Sequence, residues 1–315
     1  MPLAYDPEIE PVATAMLEMR RGVPQPAVGD WQAIRERNET ALAMGRDAIP
    51  ARDDVTFAEH QATARDGRSV PLRWYTAVER PAPGSAVVYL HGGGMISGNV
   101  DLYDRVVRAY VGETGVPLLA VDYRLAPSDD PTDLVEDCHT ALVWLVDRSA
   151  ELCVDPTRVA AMGDSAGAGL AAGLALIARD RGPTLARQIL VYPMLDDRTP
   201  VDPALAPTAV WTYESNETAW GALLGETYHT DDASPFAAPA RANDLSGAAP
   251  AYVEVGELDI FRDEVIEYAR RLSAAGTPTE LHVHSGAPHG FDALAPKAAV
   301  SQRAMADRER VLREL

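Results

Sequence analysis

The sequence predicts an α/β fold, with a mostly parallel eight-stranded sheet that carries helices on both faces. From Val55 onward, short apolar runs alternate with helical stretches, and this alternation is typical of parallel strands buried on both faces. The length of 315 residues suits one large core with an insertion, because open α/β sheets of this size are common as single domains. Two equal domains are therefore not expected.

Residues 1–50 precede the first predicted strand and carry two amphipathic helical stretches. These are Pro7 to Arg21 and Asp30 to Met44, and the Pro- and Gly-rich segment 22–26 separates them. Free helices would leave their apolar stripes in water, so we expect both to pack onto the rest of the protein. The segment is interpreted as the first part of a helical cap.

Eight strands are predicted after this segment. The first two flank a turn at Asp66-Gly67 and favour an antiparallel pair, whereas the other six alternate with helices. The predicted strands are 55–62, 69–76, 86–90, 118–121, 159–162, 188–192, 251–255 and 280–284. Helices are predicted at 103–113, 132–147, 166–179, 261–275 and 296–315.

The segment between Tyr192 and Pro250 breaks this alternation. It is far longer than the dozen or so residues that a crossover between parallel strands requires. Residues 195–235, with a helix at 214–224, are interpreted as an insertion that completes the cap. The core then comprises 51–194 and 236–315.

Gly163-Asp164-Ser165-Ala166-Gly167 fits the pattern G-x-S-x-G between a predicted strand and a predicted helix. A serine on such a sharp turn needs neighbours without a Cβ, because the turn brings their backbones together. The motif therefore makes Ser165 a candidate nucleophile.

His91-Gly92-Gly93-Gly94 directly follows the third predicted strand. Bare glycine N–H groups can approach an anion closely, so such a loop is a phosphate cradle, a plain turn or an oxyanion hole. The G-x-S-x-G motif downstream favours the oxyanion hole, because the two features occur together in one class of hydrolase.

A serine nucleophile needs a general base, and His289 is the candidate among seven histidines. It lies in a loop after the last strand, where the side chains at the carboxyl ends of a parallel sheet collect. His282 and His284 alternate on a strand, but no third histidine or carboxylate cluster is expected nearby, so a metal pair is disfavoured. The others, better explained as surface, loop or core residues, are His60, His91, His139 and His229.

Three carboxylates follow the seventh strand and could orient that base. Glu257 is closest to the strand and could be a hinge or a surface charge, while Asp263 suits the first turn of the next helix. Asp259 is the preferred candidate, because the order Ser165, Asp259, His289 is the one expected for an α/β-hydrolase.

Taken together, these motifs resemble the hormone-sensitive-lipase-like bacterial carboxylesterases of the α/β-hydrolase superfamily. The resemblance extends from about Val55 to Phe291 and rests on segments 91–94, 122–127, 136–138, 163–167, 259–263 and 289–291. It implies an α/β-hydrolase fold with a helical cap, Ser165 as nucleophile, His289 as base and Asp259 as its orienting acid. It also implies an oxyanion hole formed by the N–H groups of Gly92, Gly93 and Ala166.

Three positions depart from the family pattern. Ser128 stands where the family usually has a glutamate that ties active-site loops together. Ala168 replaces the usual glycine after the serine motif, and Ile260-Phe261 replaces Pro-Leu in the acid loop.

The sequence is interpreted as that of a serine esterase that needs no metal or organic cofactor. Short- to medium-chain carboxylic esters are the expected substrates, because a pocket covered by the cap has a finite length. An amidase, an arylformamidase, a lactone hydrolase and a non-catalytic ligand-binding protein on the same fold stay open as alternatives. The substrate is expected to be a small-molecule ester, and a homodimer is left open.

Charge and composition limit the binding partners and the cellular compartment expected for this protein. The net charge of −19 makes nucleic acid and an anionic membrane poor partners. No apolar run is long enough to span a bilayer, and no export signal is evident, so a cytoplasmic protein is expected. The two cysteines, Cys138 and Cys153, are not expected to form a disulfide.

Overall fold

The computed structural model describes residues 3–78 and 84–315. Its strands are β1 (Val55–Thr63), β2 (Ser69–Ala77), β3 (Ala86–Leu90), β4 (Leu118–Val121), β5 (Val159–Asp164), β6 (Arg187–Val191), β7 (Ala251–Gly256) and β8 (Thr279–His284). Its α-helices are α1 (Glu10–Arg21), α2 (Trp31–Ala48), α3 (Asp104–Thr114), α4 (Asp133–Asp147), α5 (Ala166–Arg181), α6 (Tyr213–Leu224), α7 (Arg262–Ala274), α8 (Phe291–Leu294) and α9 (Ala299–Arg313).

The strands form one eight-stranded sheet in the order β1-β2-β4-β3-β5-β6-β7-β8. β1 and β2 are antiparallel, and β2 is antiparallel to β4, whereas every pairing from β4 to β8 is parallel. The predicted mostly parallel sheet with an antiparallel pair is therefore confirmed. The carboxyl ends of β3, β5, β7 and β8 lie on one edge, where ligands bind in open α/β sheets.

The centre of the sheet is buried because its strands are continuous apolar runs. Every residue of β3, β4 and β7 is buried. α5 packs closely here because its small residues admit neighbouring backbone: a Cβ on Gly169 would lie 2.1 Å from the Met194 carbonyl oxygen, and one on Gly173 2.2 Å from that of Phe236. The serine motif thus lies between a buried strand and a buried helix.

Two helix boundaries differ from the prediction. α1 begins at Glu10 rather than at Pro7, and the helix expected over 296–315 is α9, which begins only at Ala299 and is preceded by the short, unpredicted α8. Ala298 has an extended backbone between these two helices, with ψ 140°. Pro296 lacks the N–H group that a continuous helix would require, which explains the interruption.

The N-terminal segment and the 195–235 insertion contact each other. The Arg20 guanidinium donates to the Val210 carbonyl oxygen at 2.6 Å, and the Gly29 N–H donates to Thr218 Oγ1 at 2.9 Å. We call these two segments together the cap. The apolar stripes of the two N-terminal helices are less completely buried than expected, because the side chains of Met19 and Met44 are 69% and 72% exposed.

Expectations from the sequence also concern the cysteines and the apolar character of the helices. Cys138 is buried, Cys153 is exposed, and both are free thiols. In the described part of the chain, no helix has both the length and the apolar character needed to cross a membrane.

Candidate active site

Ser165 lies on the turn between β5 and α5 with a strained backbone, φ 55° and ψ −120°. Non-glycine residues rarely adopt such a conformation, which costs about 1–3 kcal/mol. The flanking glycines permit it: a Cβ on Gly163 would lie 2.3 Å from Gly167, and one on Gly167 would lie 2.0 Å from the Leu90 carbonyl oxygen. The backbone therefore requires glycine at both positions of the motif.

The three candidate catalytic residues are distant in sequence, but His289 lies within hydrogen-bonding distance of both Ser165 and Asp259. Ser165 Oγ is 2.9 Å from His289 Nε2, and His289 Nδ1 is 2.7 Å from Asp259 Oδ2. The Asp259 side chain is fully buried, and its other oxygen accepts the Phe261 N–H at 3.0 Å. The arrangement can pass a proton from the serine hydroxyl to the imidazole and hold the ring in one tautomer.

Glu257 joins the loop of the acid to the loop of the histidine. Its Oε2 accepts the Gly286 N–H and the Ser285 hydroxyl, each at 2.8 Å. These two bonds, the backbone N–H first, lower the pKa of Glu257. From the sequence, Glu257 is a less favoured candidate acid, a hinge or a surface charge, because nothing near it in the chain marks the partner loop.

Asp263 lies in the first turn of α7, as the sequence predicts. There it pairs with the guanidinium of Arg262 and faces solvent, with its side chain 73% exposed. Of the three carboxylates after β7, only Asp259 contacts the histidine ring.

The glycine loop follows β3, as predicted, and lies against the serine turn. A Cβ on Gly92 would lie 2.5 Å from Asp164 Oδ2, and one on Gly93, whose φ is +124°, would lie 2.1 Å from the Ser97 carbonyl oxygen. Gly94 contacts the cap, since a Cβ there would lie 2.6 Å from the Trp211 ring. The loop is thus packed between the serine turn, the downstream residue Ser97 and the cap, and there is no room for side chains at its glycines.

Asp164, the variable residue of the motif, carries interactions that the sequence did not indicate. Its carboxylate accepts the Tyr89 hydroxyl at 2.8 Å and the Tyr103 hydroxyl at 3.0 Å. Burial of the carboxylate raises the pKa of Asp164 to about 6. A titratable group therefore lies directly beside both Ser165 and the glycine loop.

His91 is a buried structural residue, in agreement with its exclusion as the base. Its ring stacks on Tyr123 with centroids 4.2 Å apart, and Nδ1 lies 2.8 Å from the Gly92 carbonyl oxygen. Burial lowers the pKa of His91 to about 4, so the ring is neutral near pH 7.

The expectation that no carboxylates cluster near His282 is wrong. Ligand atoms of Glu280, His282 and Asp307 all lie within 4.8 Å of one another, because β8 runs beside α9. The Arg310 guanidinium pairs with both carboxylates, however, and His284 faces Glu254 instead, with Nε2 3.6 Å from Oε2. The two histidines therefore do not share one ligand set.

Ser128 does not take the place of the glutamate that the family usually has. Its hydroxyl donates to the Asp130 carbonyl oxygen. The cap helix α2 supplies a link instead, because the Arg35 guanidinium donates to the carbonyl oxygens of Ile96 and Ala126. One arginine thus ties the glycine loop to the loop after β4.

Comparison with known proteins gives consistent results. The family described as "alpha/beta hydrolase fold" matches residues 87–293. Ethyl acetate hydrolase from Pseudomonas putida is 32% identical over 274 residues, which cover 85% of this chain and 85% of that protein. Carboxylesterase NlhH from Mycobacterium tuberculosis (strain ATCC 25618 / H37Rv) is 37% identical over 242 residues, covering 74% and 75%.

A solved structure extends the likeness to nearly the whole chain. The bacterial heroin esterase has a TM-score of 0.88 and 36% sequence identity, and the match covers 99% of this chain and 98% of that one. All three of these relatives are named for the cleavage of an ester.

Proposed function

Because the chain belongs to the hormone-sensitive-lipase-like family of the α/β-hydrolase fold and is a carboxylic ester hydrolase, we propose that it cleaves short- to medium-chain esters through an acyl-enzyme on Ser165. The observation that carries this proposal is the continuous hydrogen-bonded series from Ser165 through His289 to the buried Asp259. The substrate is a small-molecule ester.

The first half of the reaction transfers the acyl group to the enzyme. His289 Nε2 accepts the hydroxyl proton as Ser165 Oγ attacks the ester carbonyl carbon, and Asp259 stabilises the resulting imidazolium. The N–H groups of Gly92, Gly93 and Ala166 receive the oxyanion. The imidazolium then protonates the leaving alcohol as the C–O bond breaks.

The second half releases the acid. Water, deprotonated by His289, attacks the acyl carbon, and the oxyanion occupies the same N–H groups. Collapse returns the proton to Ser165 Oγ and frees the carboxylic acid. Besides the ester and one water molecule, only the chain's own residues take part in these steps.

The preference for short and medium acyl chains rests on the cap. Trp211 lies against Gly94, next to the proposed oxyanion glycines, and a ring at this point limits the space for an acyl chain. The name of the Pseudomonas relative, ethyl acetate hydrolase, fits such a limit. Long-chain esters would have to displace the cap.

A panel of 4-nitrophenyl esters from acetate to palmitate tests the proposal, with 4-nitroacetanilide and a lactone as alternative substrates. We expect a burst of nitrophenol, an acetyl group on the peptide that contains Ser165, and a kcat/KM that is highest for short or medium acyl chains. Faster turnover of the anilide or the lactone would favour the amidase or lactone-hydrolase alternative. Palmitate as the best substrate would contradict the cap argument.

A further inference from the structure

A buried ionic network lies beside the histidine and plays no part in the reaction steps above. Its centre is Arg308 of α9, whose side chain is 1% exposed. The guanidinium donates to Glu254 Oε1 at 2.8 Å through Nε, and to Asp292 Oδ2 at 2.5 Å through Nη1. A buried charge is costly unless it is paired and hydrogen-bonded, and these two carboxylates pair with the Arg308 guanidinium on two sides.

Asp292 connects that arginine to the active site. It belongs to α8, three residues after His289, and its Oδ1 accepts the Tyr192 hydroxyl at 3.0 Å. Tyr192 packs edge-on against the His289 ring, with centroids 4.9 Å apart. The contacts therefore form a continuous series from Arg308 through Asp292 and Tyr192 to the imidazole.

The backbone at Tyr192 is strained, which indicates that its position is fixed from outside. Tyr192 follows β6 and has φ 37°, although it is not a glycine. Its N–H donates to the Glu254 carbonyl oxygen at 2.8 Å, so both its backbone and its hydroxyl are held by the network around Arg308. A non-glycine residue keeps such a conformation only where its surroundings enforce it.

The hydrogen bond to Asp259 does not by itself hold the imidazole in line with Ser165, because the ring can still pivot about that bond. Phe261 packs edge-on against His289 with centroids 5.2 Å apart, and Tyr192 supplies the second aromatic contact. Displacement of a reacting group by about 1 Å can cost on the order of 100-fold in rate. Small movements of Tyr192 would therefore change the alignment of the His289 ring with Ser165 Oγ.

We propose that Arg308, Asp292 and Tyr192 are positioning residues that hold the His289 ring in line with Ser165. The proposal rests on His289 being the general base of the proposed reaction. Arg308 fixes Asp292, Asp292 fixes the tyrosine hydroxyl, and the tyrosine ring restrains the imidazole. Glu254 neutralises the remaining side of the guanidinium.

The variant Tyr192→Phe tests the series by removing one hydroxyl while keeping the ring. We expect kcat for 4-nitrophenyl acetate to fall about tenfold with KM unchanged, because only the alignment of the base is disturbed. The matched control is Tyr268→Phe, since Tyr268 is fully buried and its hydroxyl has no partner among the described residues. A rise in KM at constant kcat would overturn the positioning role.

Asp292→Asn changes the acceptor of the Tyr192 hydroxyl instead of the donor. It also replaces Tyr192→Phe as the test if that variant does not fold. It should lower kcat by a similar factor, and the double variant should lose little more than either single variant, because one series is broken in each case. Independent, multiplying losses would show that the two residues do not act through each other.

A spectroscopic measurement separates this proposal from the proposed function. The low-field proton resonance of the His289–Asp259 hydrogen bond, assigned by its loss in His289→Ala, should shift or broaden in Tyr192→Phe but not in Tyr268→Phe. If wild-type enzyme forms no acyl-enzyme, the proposed function fails. If wild type is active while Tyr192→Phe matches Tyr268→Phe in kcat and in the resonance, only the positioning role fails.

Discussion

The loops at the carboxyl edge of the sheet and the cap are held in place by different interactions. The serine turn is fixed by the β5 ladder and by backbone contacts that admit only glycine, and the acid and histidine loops are joined by Glu257. The cap is attached by bonds such as those of Arg20 and Arg35 to carbonyl oxygens, and it leaves Met19 and Met44 exposed. From this difference we expect the proposed chemistry to depend on the tightly packed backbone of the sheet edge, and the proposed selectivity to depend on the more loosely packed cap.

This difference predicts how substitutions should behave. Changes at the sheet edge should lower kcat steeply, because the packed backbone cannot adjust. Changes in the cap should alter the preference among substrates and leave the reaction itself in place. The four predictions that follow test this division.

Ser165→Ala should have the largest effect. The Ser165 hydroxyl has His289 as its partner, so its loss should lower kcat for 4-nitrophenyl acetate by about 10⁴ to 10⁶ while the melting temperature stays near that of wild type. Ser85→Ala is the control, because Ser85 is buried and its hydroxyl has no partner among the described residues. Retention of a tenth of the activity in Ser165→Ala would disprove the mechanism.

Gly93→Ala should come next. The added Cβ would meet the Ser97 carbonyl oxygen, so the loop must shift and its N–H group must leave the proposed oxyanion position. The loss of one oxyanion donor costs about 10² to 10³ in kcat. Gly67 also has a positive φ, +82°, but open space around it, so Gly67→Ala serves as the control for backbone strain. Equal kcat in the two variants would exclude Gly93 from the oxyanion hole.

Asp164→Asn should change the pH dependence of stability. Because the folded-state pKa of Asp164 is raised to about 6 from 3.8, the folded protein binds this proton more tightly than the unfolded chain does. The contribution to stability is therefore present at low pH and is lost as the pH rises from about 4 to 6, by roughly 3 kcal/mol in total. Urea unfolding at pH 4 and pH 7 should show wild type losing stability relative to Asp164→Asn across this range. A constant difference would show that the carboxylate does not titrate there.

Trp211→Ala should have the smallest effect and should act on selectivity. Removal of the ring beside Gly94 opens space for a longer acyl chain, and each methylene newly buried contributes about 0.8 kcal/mol, or roughly fourfold in kcat/KM. We expect the optimum among 4-nitrophenyl esters to move to longer chains with kcat for the acetate little changed. Trp31→Ala, in the same cap but stacked on Arg35, should leave the optimum in place. Identical profiles for all three proteins would show that Trp211 does not border the acyl site.

The sequence predicts structure well where a few adjacent residues determine the local backbone geometry. The turn around Ser165 is encoded in five adjacent residues, and the sheet follows from apolar runs that leave little choice of period. His289 and Asp259 could be selected because a parallel sheet brings its strand ends together.

The rest depends on pairs that are far apart in the chain. No local pattern in the sequence indicates that Glu257 would contact Gly286, or that Arg308 would reach Tyr192 through Asp292. The cluster around His282 was missed for the same reason, because Asp307 lies on α9 whereas Glu280 and His282 lie on β8. Such contacts depend on how α9 packs beside the sheet, and apolar periodicity does not specify that to the level of single side chains.

The positive φ of Ser165 means that the residue proposed for catalysis is also a residue that lowers the stability of the fold. Glycine adopts this conformation without steric strain, so a glycine at position 165 would relieve about 1–3 kcal/mol of strain and remove the proposed nucleophile. A redesign that ranked substitutions by stability alone would therefore choose a heat-resistant but inactive protein. Met95 and Tyr192, which lie beside the same site, also have positive φ. A search for thermostable variants should exclude these three positions and seek its gains in the cap.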